Sequence, residues 1–213
     1  MRRKLIALGV AVVAVVALPV IAQQSSQLPG AKNPAAVTGG TYTVDAPHTL
    51  VRWEVDHLGF TPYFGIFGDV TGTLVLDPKN PSAAKVDVTI PVAKVTTASA
   101  GLTKHLLKPA EGGKPADFFG ANPADARFVS TGVTVDGDDA KITGNLTLNG
   151  VTKPVTLDAE FYGAGKAPAQ MGGKENVGFE AETTIKRSDF GIGYGIPMVS
   201  DQVKLDIAVA FQK

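Results

Sequence analysis

From residue 41 onward the chain alternates between apolar and polar positions. Val51, Trp53, Val55 and His57 share one parity, and Leu50, Arg52, Glu54 and Asp56 share the other. A strand sends successive side chains to opposite faces, so Thr49 to His57 reads as a strand with one greasy and one charged side. The same reading gives strands over Thr41 to Val44, Asp69 to Asp77, Ala84 to Val95 and Arg127 to Val135. It continues with Ile142 to Leu148, Val151 to Phe161, Val177 to Ile185 and Val199 to Phe211. Asn149-Gly150 between two of them is a strong hairpin signal.

Two stretches break the pattern. Leu58 to Gly68 carries Phe60, Tyr63, Phe64 and Phe67, but its glycines and Pro62 predict interrupted pairing. At about residues 101–125, Leu102, Leu106 and Leu107 fall at helical spacing and Pro109 limits the helix to about two turns. A long loop through Asp117-Phe118-Phe119-Gly120 follows, of the kind that often forms a lid. The resulting fold class is all-β: about eight strands joined mainly by turns, with one short helical insertion. An up-and-down antiparallel barrel fits this order, with a sandwich as its rival. An eight-stranded barrel is wide enough to enclose one small ligand or to be filled by its own side chains.

The first 40 residues differ in kind. Arg2, Arg3 and Lys4 precede an apolar run from Leu5 to Val20, the pattern of a secretory signal peptide cut near Ala22. Gln23 to Gly40 is rich in Gln, Ser, Pro, Ala and Gly and reads as a flexible leader. The barrel domain is then 41–213. The chain has no cysteine, which excludes disulfides, thiolate metal sites and a lipoprotein anchor. Loss of Arg2, Arg3 and Lys4 reduces the 20 basic residues to 17 against 20 acidic ones, a poor balance for binding nucleic acid.

Little in the sequence speaks for catalysis. No serine lies in a Gly-x-Ser-x-Gly context. Gly191 to Gly195 has the glycines of a phosphate loop without its lysine. His48 and His57 have opposite parity and make a poor metal pair. His57 reads as a hydrogen-bonded post on the apolar face. Arg187 and Asp189 share parity at a strand end. They read as an ion pair, or Arg187 as a receiver of a phosphate or carbonyl at a barrel opening.

Several segments, taken in order, resemble the YceI family of exported lipid-binding proteins. They are Tyr42-Thr43-Val44-Asp45 with His48, Trp53-Glu54-Val55-Asp56-His57-Leu58-Gly59, and Gly65-Ile66-Phe67. Further on come Lys104-His105-Leu106, Phe118-Phe119, Pro123 to Ser130, Gly144 to Val155 and Ile185 to Gly191. The resemblance covers about residues 41–212. It implies an extended, lipocalin-like barrel whose apolar tunnel holds a polyisoprenoid, an isoprenoid quinone or a fatty-acid derivative, in a periplasmic or secreted protein. No cofactor is expected beyond such a bound lipid, and transient membrane contact and a homodimer are compatible with it; the alternatives are an exported lipid-modifying hydrolase using His57 with Asp56 or Asp189, or an envelope stress or scaffold protein whose barrel is filled. The expected apolar tunnel residues are Val51, Trp53, Val55, Phe60, Phe64, Phe67, Leu102, Leu106, Phe118, Phe119, Phe128, Phe161, Phe179 and Phe190. His57, Lys104 and Arg187 are the expected polar contacts. The chain departs from the family at Leu102-Thr103-Lys104, where an Arg-Asp pair is usual, and in the insert from Glu111 to Ala116.

Overall fold

The alternating segments become eleven strands and one helix in the computed structural model, which describes residues 28–213. The strands are β1 (Gly30–Ala31), β2 (Gly40–Val44), β3 (Leu50–His57), β4 (Thr61–Phe67), β5 (Thr71–Leu76) and β6 (Lys85–Ile90). After helix α1 (Ala100–Leu106) come β7 (Ala126–Asp136), β8 (Asp139–Leu148), β9 (Val151–Lys166), β10 (Glu175–Lys186) and β11 (Gln202–Gln212).

Pairing is antiparallel throughout and closes into an eight-stranded barrel. Eleven segments make eight staves for two reasons. β2 and β3 follow one another along β11, which pairs β3 through Lys204–Ala208 and β2 through Phe211–Gln212. β4 and β5 follow one another beside them, on β3 and β2 respectively. The Ala46–His48 turn that breaks the first of these staves is tied by His48 Nδ1 to Asp45 Oδ2 at 2.8 Å. The short β1 lies outside the barrel count, on the edge of β9.

The passage from Leu58 to Gly68 is more regular than its composition predicts. Leu58 and Gly59 both have positive φ, at 61° and 70°, and turn the chain directly into β4. The connection has three residues, Leu58 to Phe60, and its tight turn is closed by Phe60 N donating to His57 O at 3.1 Å. Pro62 is accommodated near the start of β4, which is joined to β3 on one side and only by the Ile66–Thr96 bridge on the other. The insertion covers that open side. Ser99 caps α1 by accepting from the Leu102 amide at 3.3 Å, and Phe119 N donates to Leu106 O at 3.0 Å.

The leader expected over Gln23 to Gly40 joins the fold from residue 28 on. β1 pairs with Ala164 and Gly165, and Ala36 and Val37 pack on the core. Glu175 holds Thr38 by two hydrogen bonds and also accepts from the Tyr42 hydroxyl. Small residues and prolines there suit close packing against glycines of β9, a role composition alone does not distinguish from disorder. The expected signal peptide and its cleavage point near Ala22 lie outside the described residues.

The core is divided in two. One cluster, around Tyr42, Leu74, Phe161, Val177 and Phe211, sits at the end near the leader. The other, around Trp53, Leu106, Phe128, Leu146, Phe190 and Val203, sits at the end covered by the insertion. Side chains do not fill the barrel between and through them.

Candidate functional site

A cavity of about 700 Å³ runs through the barrel, lined by residues from every stave. Its wall follows the period of two. β11 supplies Val203, Leu205, Ile207, Val209 and Phe211, and β10 supplies Val177, Phe179, Ala181, Thr183 and Ile185. β3 supplies Val51, Trp53, Val55 and His57. On β7 the inward positions change from Phe128 to Val133 and Val135, a change of parity. A register shift between Ser130 and Gly132 absorbs it. The bulge keeps the strand's apolar side inward on both sides of an extra residue.

The cavity survives a large aromatic complement in part because two rings lie against glycines. Trp53 faces Gly65 across the β3–β4 pair. A Cβ at Gly65 would meet Trp53 Cζ2 at 2.5 Å and Cε2 at 2.7 Å. Phe128 covers Gly144 of the neighbouring strand in the same way. Each glycine recesses a ring that would otherwise occupy the lumen. Near the leader, Phe161, Phe179 and Phe211 meet edge to face, with centroids 5.9 and 6.4 Å apart.

The two ends differ. At the leader end Pro34 and Val37 reach the lumen beside Leu76, Pro78 and Pro81. Lys32, bonded to Glu160 at 2.5 Å and 3.5 Å from Asp138, straps the leader across this end. At the other end His57, His105, Phe118, Tyr194 and Val199 line the lumen. His105, Phe118 and Tyr194 form a triangle of edge-on rings with centroids 5.3 to 5.7 Å apart. His105 Nε2 also bonds Asp117 Oδ2 at 2.8 Å, which fixes the imidazole at this mouth.

Of the expected tunnel residues, Val51, Trp53, Val55, Phe67, Leu102, Leu106, Phe118, Phe119, Phe128, Phe161 and Phe179 stand on this wall. Phe60, Phe64 and Phe190 do not. Phe60 is 86% exposed at the hairpin tip. Phe64 pairs with Glu54, on the outer face of the β3–β4 hairpin, and lies under the Arg52 guanidinium. Regular pairing of β4 gives it the opposite parity to Tyr63 and Phe67, which face inward. Phe190 is buried behind the wall, and its carbonyl accepts from Asn149 Nδ2 at 3.0 Å.

The polar expectations need similar correction. Lys104 is exposed on the outer side of α1, while its neighbour His105 faces the lumen. His57 does line the mouth, but it is exposed and no hydrogen bond among the described residues holds its ring, unlike the bonded post expected. Arg187 is buried beside the lumen and forms no ion pair with Asp189. Its guanidinium donates to the carbonyls of Ser200, Ile192, Tyr194 and Val199 at 2.7 to 3.0 Å. Burial lowers its pKa, opposed by the charge of Asp201. Four of five N–H donors are thus spent on the connection from β10 to β11. Arg187 therefore shapes the loop that presents Tyr194. Sequence reasoning missed Tyr194 itself; its only signal is being the one aromatic ring in the Gly191 to Gly195 run.

Comparison with known proteins gives a consistent result. The YceI-like domain family model matches residues 42–211. Protein YceI of Escherichia coli is 46% identical over 171 residues, covering 79% of this chain and 84% of that one. Among solved structures, the Campylobacter jejuni YceI protein is 34% identical with a TM-score of 0.60, covering 74% of this chain and 89% of that one. A polyisoprenoid binding domain from Saccharophagus degradans shares the fold at 15% identity, with a TM-score of 0.58 and coverage of 80% and 97%.

Proposed function

The chain belongs to the YceI family, and from that premise and the shape of the barrel we propose that it binds one long apolar chain in its tunnel. The single observation that carries the reading is the lumen itself: a cavity of about 700 Å³ walled almost wholly by aliphatic and aromatic side chains. Empty apolar space of this size is costly to keep unless something fills it. A polyisoprenoid, an isoprenoid quinone or a fatty-acid derivative has the right chemistry. The polyisoprenoid-binding neighbour supports that class.

The dimensions suit an extended chain. β10 has 12 residues, which span roughly 40 Å at about 3.3 Å per residue. With staves tilted by about 40°, the barrel axis is on the order of 30 Å long. Each buried CH₂ contributes about 0.8 kcal/mol, so one five-carbon unit brings roughly 3 to 4 kcal/mol before ordering costs. A few such units reach micromolar affinity, about −8 kcal/mol. The head group need contribute little, and the aromatic mouth around Tyr194 selects mainly which heads fit.

The protein acts by sequestering or carrying its lipid rather than by transforming it. The mouth offers the His105–Asp117 pair, yet no serine is found among the described residues that line the lumen. The basic, apolar start of the chain and the likeness to exported relatives support activity in the periplasm or outside the cell. Titration with cis-parinaric acid tests the proposal: we expect saturable fluorescence at one probe per chain, displaced by a long polyprenol. No saturable signal would refute it.

A further inference from the structure

Twelve large apolar side chains are exposed among the described residues, and eight of them lie on the β3–β4 hairpin or the connection from β10 to β11. Five form a collar at one end of the lumen: Leu58, Phe60, Tyr194, Ile196 and Met198, between 38 and 86% exposed. The two tips are physically joined. Leu58 N donates to Met198 O at 2.7 Å, and His57 bridges to Val199. Tyr194 belongs to both surfaces, lining the lumen while half of it faces outward. Through Tyr194 the apolar surface continues from the tunnel wall onto the rim, beside His57 and His105.

The hairpin tip carries a second, independent sign. Leu58 occupies left-handed backbone, φ 61°, at a turn position that Asn, Asp or Gly fills with less strain. It is 43% exposed, so packing does not explain a leucine there. Phe60, at 86% exposure, contributes nothing to the core either. Strain retained where the fold gains nothing points to function.

We propose that this collar docks the protein on a phospholipid bilayer, with the mouth of the tunnel facing the hydrocarbon. The inference rests on the lipid-tunnel reading above and adds where the lipid crosses: it passes between bilayer and barrel without meeting water. Docking there rests on the apolar collar rather than on charge, since exposed Lys104 and Lys186 share this end with the carboxylates of Asp56, Asp117, Asp189 and Asp201. A second copy of the chain is a weaker occupant. Five protruding side chains fall well short of the roughly 20 to 30 residues a side of a standard protein interface.

The test uses purified protein and vesicles of phosphatidylethanolamine with phosphatidylglycerol. Phe60→Trp placed at the tip should be quenched by vesicles whose acyl chains are brominated. The double variant Phe60→Asp/Met198→Asp should lose vesicle co-flotation by about tenfold or more, yet bind cis-parinaric acid in solution as the parent does. Transfer of that probe from donor vesicles should slow in parallel. No quenching of the tip tryptophan, or unchanged flotation of the double variant, would overturn docking. So would a concentration-dependent dimer that the double variant dissolves. Loss of probe binding by the parent would instead strike the tunnel reading, leaving vesicle association to be judged separately.

Discussion

The indole of Trp53 lies across the backbone of Gly65, with Cζ2 2.5 Å from where a Cβ would stand. The carbonyl of Thr96 closes the same space at 2.7 Å. One ring thereby lies recessed in the wall, one strand away from the insertion that covers β4. The Nε1 of this tryptophan is buried without a hydrogen-bond partner, so packing alone holds the ring.

Gly65→Ala should therefore push the indole toward the lumen. We expect a loss of about 1 to 3 kcal/mol in stability, the usual range for overpacking. Trp53 is the only tryptophan, so urea unfolding followed by its fluorescence reads both its environment and the midpoint. An unchanged emission spectrum and midpoint would show that the ring is not confined as described.

The inner and outer faces can be separated by two substitutions. Ala181 faces the lumen, whereas Phe64 lies outside on the β3–β4 face. Ala181→Phe should exclude several methylenes of ligand, weakening cis-parinaric acid binding by roughly 100-fold at about 0.8 kcal/mol per CH₂. Phe64→Asp should leave that affinity within about twofold, because an exposed site contributes little to a buried ligand. Fluorescence titration of both proteins, with melting curves as a control for folding, decides the matter. Equal loss in both would mean that the lumen is not where the probe sits.

Acid should loosen the leader before it unfolds the barrel. Burial tends to raise the pKa of Glu175, but hydrogen bonds from Tyr42 and Thr38 and the charge of Lys213 outweigh it and hold the carboxyl below its ordinary 4.5. A depressed carboxylate contributes stability that is present above its unfolded pKa and lost as pH falls through the folded one. Amide exchange across residues 30–38, taken relative to the intrinsic rate of each amide at that pH, should thus accelerate below about pH 4.5. Glu175→Gln should accelerate it already at neutral pH and flatten the response. An identical pH profile in both proteins would remove Glu175 from the clasp.

The sequence was most legible where alternation is uninterrupted. β11 and the β8–β9 hairpin up to Phe161 follow the expected segments closely, because inward and outward positions there keep one parity; β9 then runs on to Lys166 past a register shift that brings Ala164 to the core. It was least legible where backbone geometry overrides composition. Glycines in Leu58 to Gly68 suggest a break, yet Gly65 is needed to seat Trp53 within a regular strand, and that strand turns Phe64 outward. The prolines and alanines of the leader suggest mobility, yet they pack against Ala164 and Gly165. Arg187 reads as an ion-pair or ligand residue, since no pattern in the chain announces four carbonyls converging on it.

The most direct test of the account is native mass spectrometry of the protein in the form its own cell makes, purified without detergent. We expect a chain carrying one additional mass, equal to a single long-chain isoprenoid or fatty lipid, that organic extraction removes. A chain of bare mass that also fails to take up a fluorescent fatty probe would contradict the claim that this barrel is built around a lipid.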